Sequence, residues 1–572
     1  MTAYILRRDE PGISIPGADL PAVLERLYVA RGVRSAEDLN VSLAGLLPFR
    51  ELKGIAGAVD LLLAALDHQH RVLVVGDFDA DGATASTVAV LGLRAFGLQH
   101  IDYLVPNRFE YGYGLTPEIV AVAQQRDPQL LITVDNGISS IEGVRAAREL
   151  GIEVLVTDHH LPGAELPAAS AIVNPNQPGC EFSSKYLAGV GVMFYLLAAL
   201  RARLREQHYF AHQQQSEPDL AALLDLVALG TVADVVPLDR NNRILVEQGL
   251  RRIRAGHCRP GITALLRAGG RDPDRAVATD LGFAVGPRLN AAGRLADMAA
   301  GIECLLENDP DQCRQMAWEL DALNRERREI EAQMQDDALA TLETLTFTDT
   351  ELPFGLCLYE SHWHPGVVGI LAARIRERVH RPVIAFAPDG ETLLKGSGRS
   401  IPGLHLRDAL DAIAARNPDL LSKFGGHAMA AGLSLRKRDL EAFGQAFDAQ
   451  LREMLNGREL DGTILSDGEL SESDLSLELA RVLRRAGPWG QGFPEPVFDG
   501  EFELLERRIL KDRHLKLRLR AGTVVLDAIA FNTLDEDWPA KVERIHVAYR
   551  LDVNDYRDRE TLQLIVQHLE PL

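Results

Sequence analysis

Three short apolar runs in the first third of the chain each end in acid. Val72-Leu73-Val74-Val75 leads into Gly76-Asp77-Phe78-Asp79-Ala80-Asp81-Gly82. Leu130-Leu131-Ile132-Thr133-Val134 leads into Asp135-Asn136-Gly137, and Val154-Leu155-Val156-Thr157 into Asp158-His159-His160. Short β-branched and aliphatic runs bounded by turn residues read as strands buried on both faces. Ile101–Val105 is a further strand of this kind. Helical stretches lie between the strands: ATASTVAVLGLRAFG, then TPEIVAVAQQR with Thr116 as N-cap and Pro117 at its first position, then SSIEGVRAAREL. Strands alternating with helices imply an α/β, doubly wound parallel sheet, whose strands point their carboxyl ends at one ligand crevice. All three acid loops are therefore expected in one place. Asp234, in Ala-Asp-Val-Val-Pro on a turn after a helix, is positioned to close the cluster.

The residue types fit one chemistry. Hard divalent cations take carboxylate oxygens, and imidazole suits Mn²⁺ and similar ions. Two such ions clamp the attacking and leaving oxygens of an in-line displacement at phosphorus, which needs several acids together, one of them bridging. Asp77, Asp79 and Asp81 alternate, so an extended backbone is expected to point them one way, with Gly82 turning the chain aside. Thr84 and Ser86 are placed to cap the next helix or touch phosphate. A calcium EF-hand is excluded, because Val88 stands where the loop's twelfth-position Glu belongs. Any one loop could be mere helix capping. Three in a row, one of them Asp-His-His, are not explained that way.

The chain has 572 residues, 46% hydrophobic and 25% charged, the profile of an ordinary soluble protein of several domains. It has no apolar run of the ~20 residues that span a bilayer and no secretory signal at its start, so a cytoplasmic location is expected and a membrane partner is not. Five scattered cysteines without a CxxC pair argue against disulfides and zinc–thiolate sites. A net charge of −21 is unusual for a nucleic-acid enzyme, yet it is compatible with a local basic groove when part of the acid binds metal.

The later sequence supplies cations. GPRLNAAGR carries Arg288, Asn290 and Arg294, and guanidinium forks match phosphate oxygens. Residues 310–347 are charged and helical, the pattern of a long helix bridging solvent between two domains. A second α/β segment contains Gly396-Ser397-Gly398-Arg399-Ser400, able to offer backbone N–H groups, a hydroxyl and a guanidinium to an anion. It also contains Gly425-Gly426-His427, read as preceding an Ala-rich helix start. His364, in Trp-His-Pro-Gly, reads as structural. Beyond 462, short strands and turns indicate a β-barrel. In it, Leu515, Leu517 and Leu519 alternate with Lys516, Arg518 and Arg520, after Arg507, Arg508, Lys511 and Arg513. That stripe is either an edge defended by charge or a single-strand track, for which Phe531, Trp489 and Phe493 are stacking candidates. For the Trp489–Phe493 run a structural turn on the barrel is the favoured reading.

At these residues the chain resembles the DHH phosphoesterase superfamily, whose first four motifs match GDFDADG, TVDNG, TDHH and ADVVPL in order. GPRLNAAGR, SGRS and GGHAMAAG narrow the resemblance, over nearly the whole chain, to the RecJ family of bacterial single-strand-specific DNA exonucleases. The resemblance implies a segment at 1–50, a DHH catalytic domain at 51–309, a connecting helix at 310–347, a DHHA1 domain at 348–458 and an OB-like domain at 462–572. It implies two Mn²⁺ or Mg²⁺ ions, with Asp79 on one, Asp81, His159 and Asp234 on the other, and Asp135 bridging. His160 is then expected at the scissile phosphate, with Asp158 and Asn136 supporting the site. The pyrophosphatase branch has a His ahead of these acids where this chain has Val74-Val75-Gly76-Asp77. Asp77 therefore either replaces that ligand or shapes the loop. Ser397, Arg399 and His427 would grip phosphates. A 5′→3′ polarity, release of mononucleotides, roles in recombination and repair, and partnership with single-strand-binding protein also follow only from the resemblance. The alternatives are a phosphodiesterase of short oligoribonucleotides or cyclic dinucleotides, disfavoured by the basic C-terminal stripe, and a single-strand-binding protein without catalysis, disfavoured because no motif acid is missing.

Overall fold

The computed structural model describes residues 4–8, 14–106, 114–346, 353–417, 419–421, 423–426, 429–455, 462–511, 514–531, 533, 542–556 and 559–572. The chain forms two compact units, one of residues 7–323 with 465–572 and one of residues 1–6 with 324–464.

In the first unit the expected strands form at Val72–Gly76, Ile101–Leu104, Leu130–Val134 and Glu153–Thr157, and a short fifth strand, Ala171–Val173, joins them. All pair in parallel, in the spatial order 101–104, 72–76, 130–134, 153–157, 171–173. Val72–Gly76 is buried along its whole length, with helices on both sides, which is why its sequence reads as an unbroken apolar run. The chain leaves strand 72–76 for one side of the sheet and strand 130–134 for the other. A crevice therefore opens between those two strands at their carboxyl ends, the switch point of the sheet.

The barrel belongs to this same unit. Phe498–Leu510, His514–Ala521, Val524–Ala530, Arg559–Pro571 and Arg544–Tyr556 close on themselves, and closure removes open sheet edges. Leu515, Leu517 and Leu519 point inward, at most 1% exposed, as the alternation requires. A helix from the chain's start, Ala22–Ala30, fastens the barrel's entry segment. Its Tyr28 stacks on Trp489 and Phe493, whose ring centroids lie 6.1 and 6.2 Å away. Arg31, with a side chain only 1% exposed, forks onto both carboxylate oxygens of Asp467 at 3.0 and 2.9 Å.

The second unit carries a mixed sheet in the order 423–426, 430–436, 393–399, 383–389, 356–359. Two expectations fail here. Gly425 and Gly426 end not at a helix but in the strand Lys423–Gly426, which pairs with the strand Ala430–Arg436, whose Ala431, Leu433 and Leu435 point inward. The expected long helix exists, at Pro310–Thr346, but it does not bridge solvent. Cys313, Ala317 and Leu320 are buried in the first unit's core, and Met334 and Ala338 in the second's. Among the described residues no helix is long and apolar enough to cross a membrane.

Candidate active site

The strand ends at the switch point bring the acids together. Asp77 follows strand 72–76 and is 7% exposed. Asp79 is itself extended, but the run ends there. Its carboxylate accepts the N–H groups of Asp81 (2.9 Å) and Gly82 (3.0 Å) and so starts the helix Ala80–Ala95. The expected extended Asp77-Asp79-Asp81 triplet is therefore corrected: Asp81 enters the site from the first helical turn. Gly82 does not turn the chain away either. It lets this turn close over the loop, since a Cβ there would stand 2.4 Å from the Asp77 carbonyl oxygen. Thr84 and Ser86 neither cap nor reach substrate. Both are buried and donate back to the carbonyls of Asp81 and Gly82.

Asp135 sits at φ +61°, a left-handed conformation uncommon outside glycine, at the end of strand 130–134. Asn136 Nδ2 donates to the carbonyls of Val75 (3.0 Å) and Val134 (2.9 Å), tying the two central strands together just below the crevice. Asp158, 1% exposed, organises the third loop. One oxygen accepts His159 N (2.7 Å) and His160 N (3.1 Å) and lies 2.7 Å from His160 Nδ1, while the other accepts Ile138 N (2.9 Å). His159 is left facing the crevice, its Nε2 3.0 Å from Asp135 Oδ1 and 3.5 Å from Asp234 Oδ2. Asp234 caps the C-terminus of the helix Leu224–Ala233. Potential ligand atoms fall into three overlapping sets, each within 4.8 Å: Asp77 with Asp79 and Asp135, Asp135 with His159 and His160, and Asp81 with His159 and Asp234.

Electrostatics mark the cluster as built for positive charge. Burial, then the charge of Asp234, pushes Asp81 up to about 7. Burial, then Asp79, does the same to Asp234. Asp135 is driven well above the carboxylate range by burial and by Asp81, Asp79 and Asp77. Burial, then His160, lowers His159. For the neighbouring Asp158–His160 pair the logic reverses. Burial works against both charges of the Asp158–His160 pair, yet their hydrogen bond holds Asp158 down at about 2 and His160 up at about 9. A divalent cation fits this site. His159 Nε2 and Asp234 Oδ2 are buried without a hydrogen-bond partner, and the oxygen-rich donor set with one imidazole is that of Mn²⁺ or Mg²⁺.

Several supporting residues were missed from sequence. The first two N–H groups of the helix Gly189–Glu206 donate to Asp81, from Gly189 at 2.6 Å and Val190 at 3.0 Å. Gly189 and Gly230 make room for the acids, since a Cβ on either would come within 2.8 Å of Asp135 Oδ1 or Asp81 Oδ1 respectively. Asn174 and Asn176, just past the fifth strand, donate to the carbonyls of His160 (3.0 Å) and His159 (2.6 Å). The small-residue run Ala188-Gly189-Val190-Gly191 before an apolar helix, and Asn174-Pro175-Asn176 after a strand, were the available signals.

The expected phosphate contacts divide. Arg288 is corrected. Its side chain is 8% exposed and bonds Asp321 Oδ1 (2.6 Å) and the carbonyls of Ala284 and Ala268. The reason is helical: Gly286–Leu295 turns Arg288 by about 200° from Asn290, whereas Arg294 lies within about 40° of it. Asn290 supports the first loop by accepting Ala80 N (2.7 Å), and Arg294 is half-buried. In the second unit, Ser397 and Arg399 share one face of the central strand Leu393–Arg399, with Arg399 Nη1 3.1 Å from Ser397 Oγ. That strand's backbone is committed to pairing on both sides, so the expected N–H cradle is replaced by side chains alone. His364 Nδ1 accepts Gly366 N, a structural turn. His427 and Arg513 lie outside the described residues.

On the barrel, Lys516, Arg518 and Arg520 face outward as expected, but they are interleaved with acid. Lys516 pairs with Asp527 and Arg520 with Glu503, both at 3.2 Å, and Arg518 sits in register with Glu506 and Asp527. Trp489 and Phe493 are buried against Tyr28 and do not stack bases, whereas Phe531 is 52% exposed.

Comparison with known proteins agrees with this architecture. Residues 71–231 match the DHH family N-terminal domain, 353–453 the DHHA1 domain and 466–568 the RecJ OB domain. The single-stranded-DNA-specific exonuclease RecJ of Dickeya dadantii is 57% identical over 575 residues, covering 100% of both chains. That of Escherichia coli K12 is 55% identical over 558 residues, 97% of each. The crystal structure of RecJ in complex with Mn²⁺ from Thermus thermophilus superposes with a TM-score of 0.79 at 31% identity, covering 98% of this chain and 79% of that one. The Mg²⁺ complex from the same organism gives 0.74 at 29%, covering 98% and 78%. With three domains matched in order and relatives this similar along its whole length, the chain belongs to the RecJ family.

Proposed function

We propose that the chain is a metal-dependent exonuclease specific for single-stranded DNA, working 5′→3′, releasing mononucleotides and serving recombination and repair in the cytoplasm. Residues 51–309 would supply the chemistry, 348–458 and 462–572 the grip on the strand. The observation that carries the reading is the buried cluster at the switch point, where His159 Nε2 and Asp234 Oδ2 have no hydrogen-bond partner and burial, then mutual repulsion, raises the pKa of three acids that a cation would relieve. Asp77, Asp79 and Asp135 would hold one divalent ion, and Asp81, His159 and Asp234 the other, and the resemblance makes Asp135 the acid they share. Bound there, Mn²⁺ or Mg²⁺ supplies a water nucleophile active at neutral pH and neutralises charge on the phosphate.

The chain's own residues do the rest. Asp81 is aimed by the N–H groups of Gly189 and Val190 and keeps lone pairs for a cation. Asp158 fixes the tilt of His160 and favours its positively charged form, and that ring would stand beside the scissile phosphate. The resemblance makes Ser397, Arg399 and Arg294 phosphate contacts, and Lys516, Arg518 and Arg520 would follow the strand. Family membership supports single-stranded DNA as substrate, and single-strand-binding protein is the partner that the sequence resemblance implies. The test is a time course on strands labelled at either end, DNA beside RNA, with a duplex control. Loss of label from the 5′ end of single-stranded DNA, abolished by Asp135→Ala in a folded protein, is expected. Preference for RNA or for dinucleotides, or activity surviving Asp135→Ala, would overturn the reading.

A further inference from the structure

The residue after Asp234 is a backbone anomaly. Val235 has φ +62°, at the position past a helix end where glycine is usual because a Cβ crowds the neighbouring carbonyl. A β-branched residue is among the poorest choices there. Burial does not compensate, since Val235 is 63% exposed. A second apolar side chain stands out of the same surface. Phe283 is 74% exposed on the π-helical turn Leu281–Val285. That turn packs on the helix that carries Asp234, close enough that a Cβ on Gly282 would meet Val232 Cγ1 at 3.1 Å. Val235 and Phe283 line one cavity of about 350 Å³, together with Val232, Val236 and Pro494. Backbone strain and π-turns both concentrate at functional sites.

We propose that Val235 and Phe283 form a seat for an unpaired nucleobase beside the hydrolytic cluster. This rests on the single-strand exonuclease reading above and deepens it. The occupant follows from continuity. Val235 is one Cα step, about 3.8 Å, from Asp234, so a strand held by its phosphate at the acids lays its bases against the adjoining surface. That surface is mostly apolar, with Thr279, Gln491 and the paired Glu495 and Arg550 also lining it, and carries an exposed aromatic ring. Stacking on such a ring accepts any base, as an exonuclease that removes every nucleotide requires. A duplex end presents bases already stacked and paired, so this seat also selects against duplex.

The test uses the full-length protein in chelator, which separates binding from turnover. Affinities for a twenty-residue oligo(dT) and for an abasic strand of equal length are measured for the parent and for Phe283→Ala, a substitution at an exposed position. A loss of about 5- to 150-fold on oligo(dT) with none on the abasic strand is expected. Val235→Gly should weaken oligo(dT) in the same selective way while raising thermal stability, because it relieves the left-handed valine. Equal losses on both strands, or none on either, would overturn the seat, the latter pointing to a protein segment as the occupant. Failure of the parent to degrade single-stranded DNA after metal is restored would instead sink the underlying reading.

Discussion

Replacing Asp158 by asparagine tests how the site is held together. The carboxylate is buried and serves four donors, the N–H groups of His159, His160 and Ile138 and the ring of His160. An amide keeps one accepting oxygen but turns an NH₂ group toward the buried Ile138 N–H, leaving a donor unsatisfied at about 1–3 kcal/mol. The charge term has the same size: a carboxyl lowered from 3.8 to about 2 contributes ~2.5 kcal/mol at neutral pH. The two overlap, because those hydrogen bonds help produce the low value, so a net loss of about 3 kcal/mol is expected. The sign fixes the pH window. A lowered Asp158 stabilises the fold above about 4 and loses its contribution as pH falls toward 2. A raised His160 stabilises it below about 6.5 and loses its contribution as pH rises through about 9. Both describe one pairing and are counted once. Urea unfolding of metal-free parent and variant between pH 3 and 9 should show the difference largest between about 4 and 6.5 and shrinking on both sides. Histidine NMR should show His160 titrating well below 9 in the variant. A variant within about 0.5 kcal/mol of the parent, a margin typical of inert substitutions, with His160 unmoved, would refute the assignment of Asp158 as its anchor.

Metal binding should expel protons at pH 7, because Asp81, Asp234 and Asp135 are all raised in the metal-free protein; calorimetry in buffers of different ionisation enthalpy reads the release, and a buffer-independent heat would contradict it. By the same sign, the metal-free protein should lose stability as pH climbs from about 4 to 7, and Mn²⁺ should restore it. Gly189→Ala should cost about 1–3 kcal/mol and lower kcat about 100-fold, because its Cβ would lie 2.6 Å from Asp135 Cβ; a stabilised, fully active variant would show that the helix can retreat. Arg518→Ala should reduce the salt dependence of long-strand binding by a slope of about 1 and leave dinucleotides unaffected, and an equal effect on both would remove this strand from the binding path.

The strands were legible because they are buried on both faces, so apolar composition alone marks them, and acid loops at their ends could only converge. Local competition hid the rest. Asp79 reads as one tooth of an alternating comb, yet its carboxylate captures two N–H groups and starts a helix under Asp81. Ala430–Arg436 has a period-two pattern that its two alanines and its glycine disguise, and pairing with the strand Lys423–Gly426 makes it half of an antiparallel pair. Arg288 and Arg294 look alike in sequence, but the helix between them sends one into the core to meet Asp321. Asn174, Asn176 and Gly189 act on backbone and on near neighbours in space, which no spacing rule announces. The pairing of Tyr28 with Trp489 joins residues from opposite ends of the chain, and only the folded molecule shows it.

That last contact has a consequence during synthesis. Arg31 and its partner Asp467 are separated by 436 residues. At about 5–20 residues per second, a ribosome needs roughly 20–90 s to make the interval. Throughout that time Tyr28 and a guanidinium destined for burial wait in water beside a finished α/β sheet. The nascent chain must therefore carry an open apolar face until its last hundred residues emerge, and a truncated message that ends before the barrel yields a protein with its acids in place and that face uncovered. Chaperone engagement should concentrate on residues 22–31, early in synthesis and far from the chemistry.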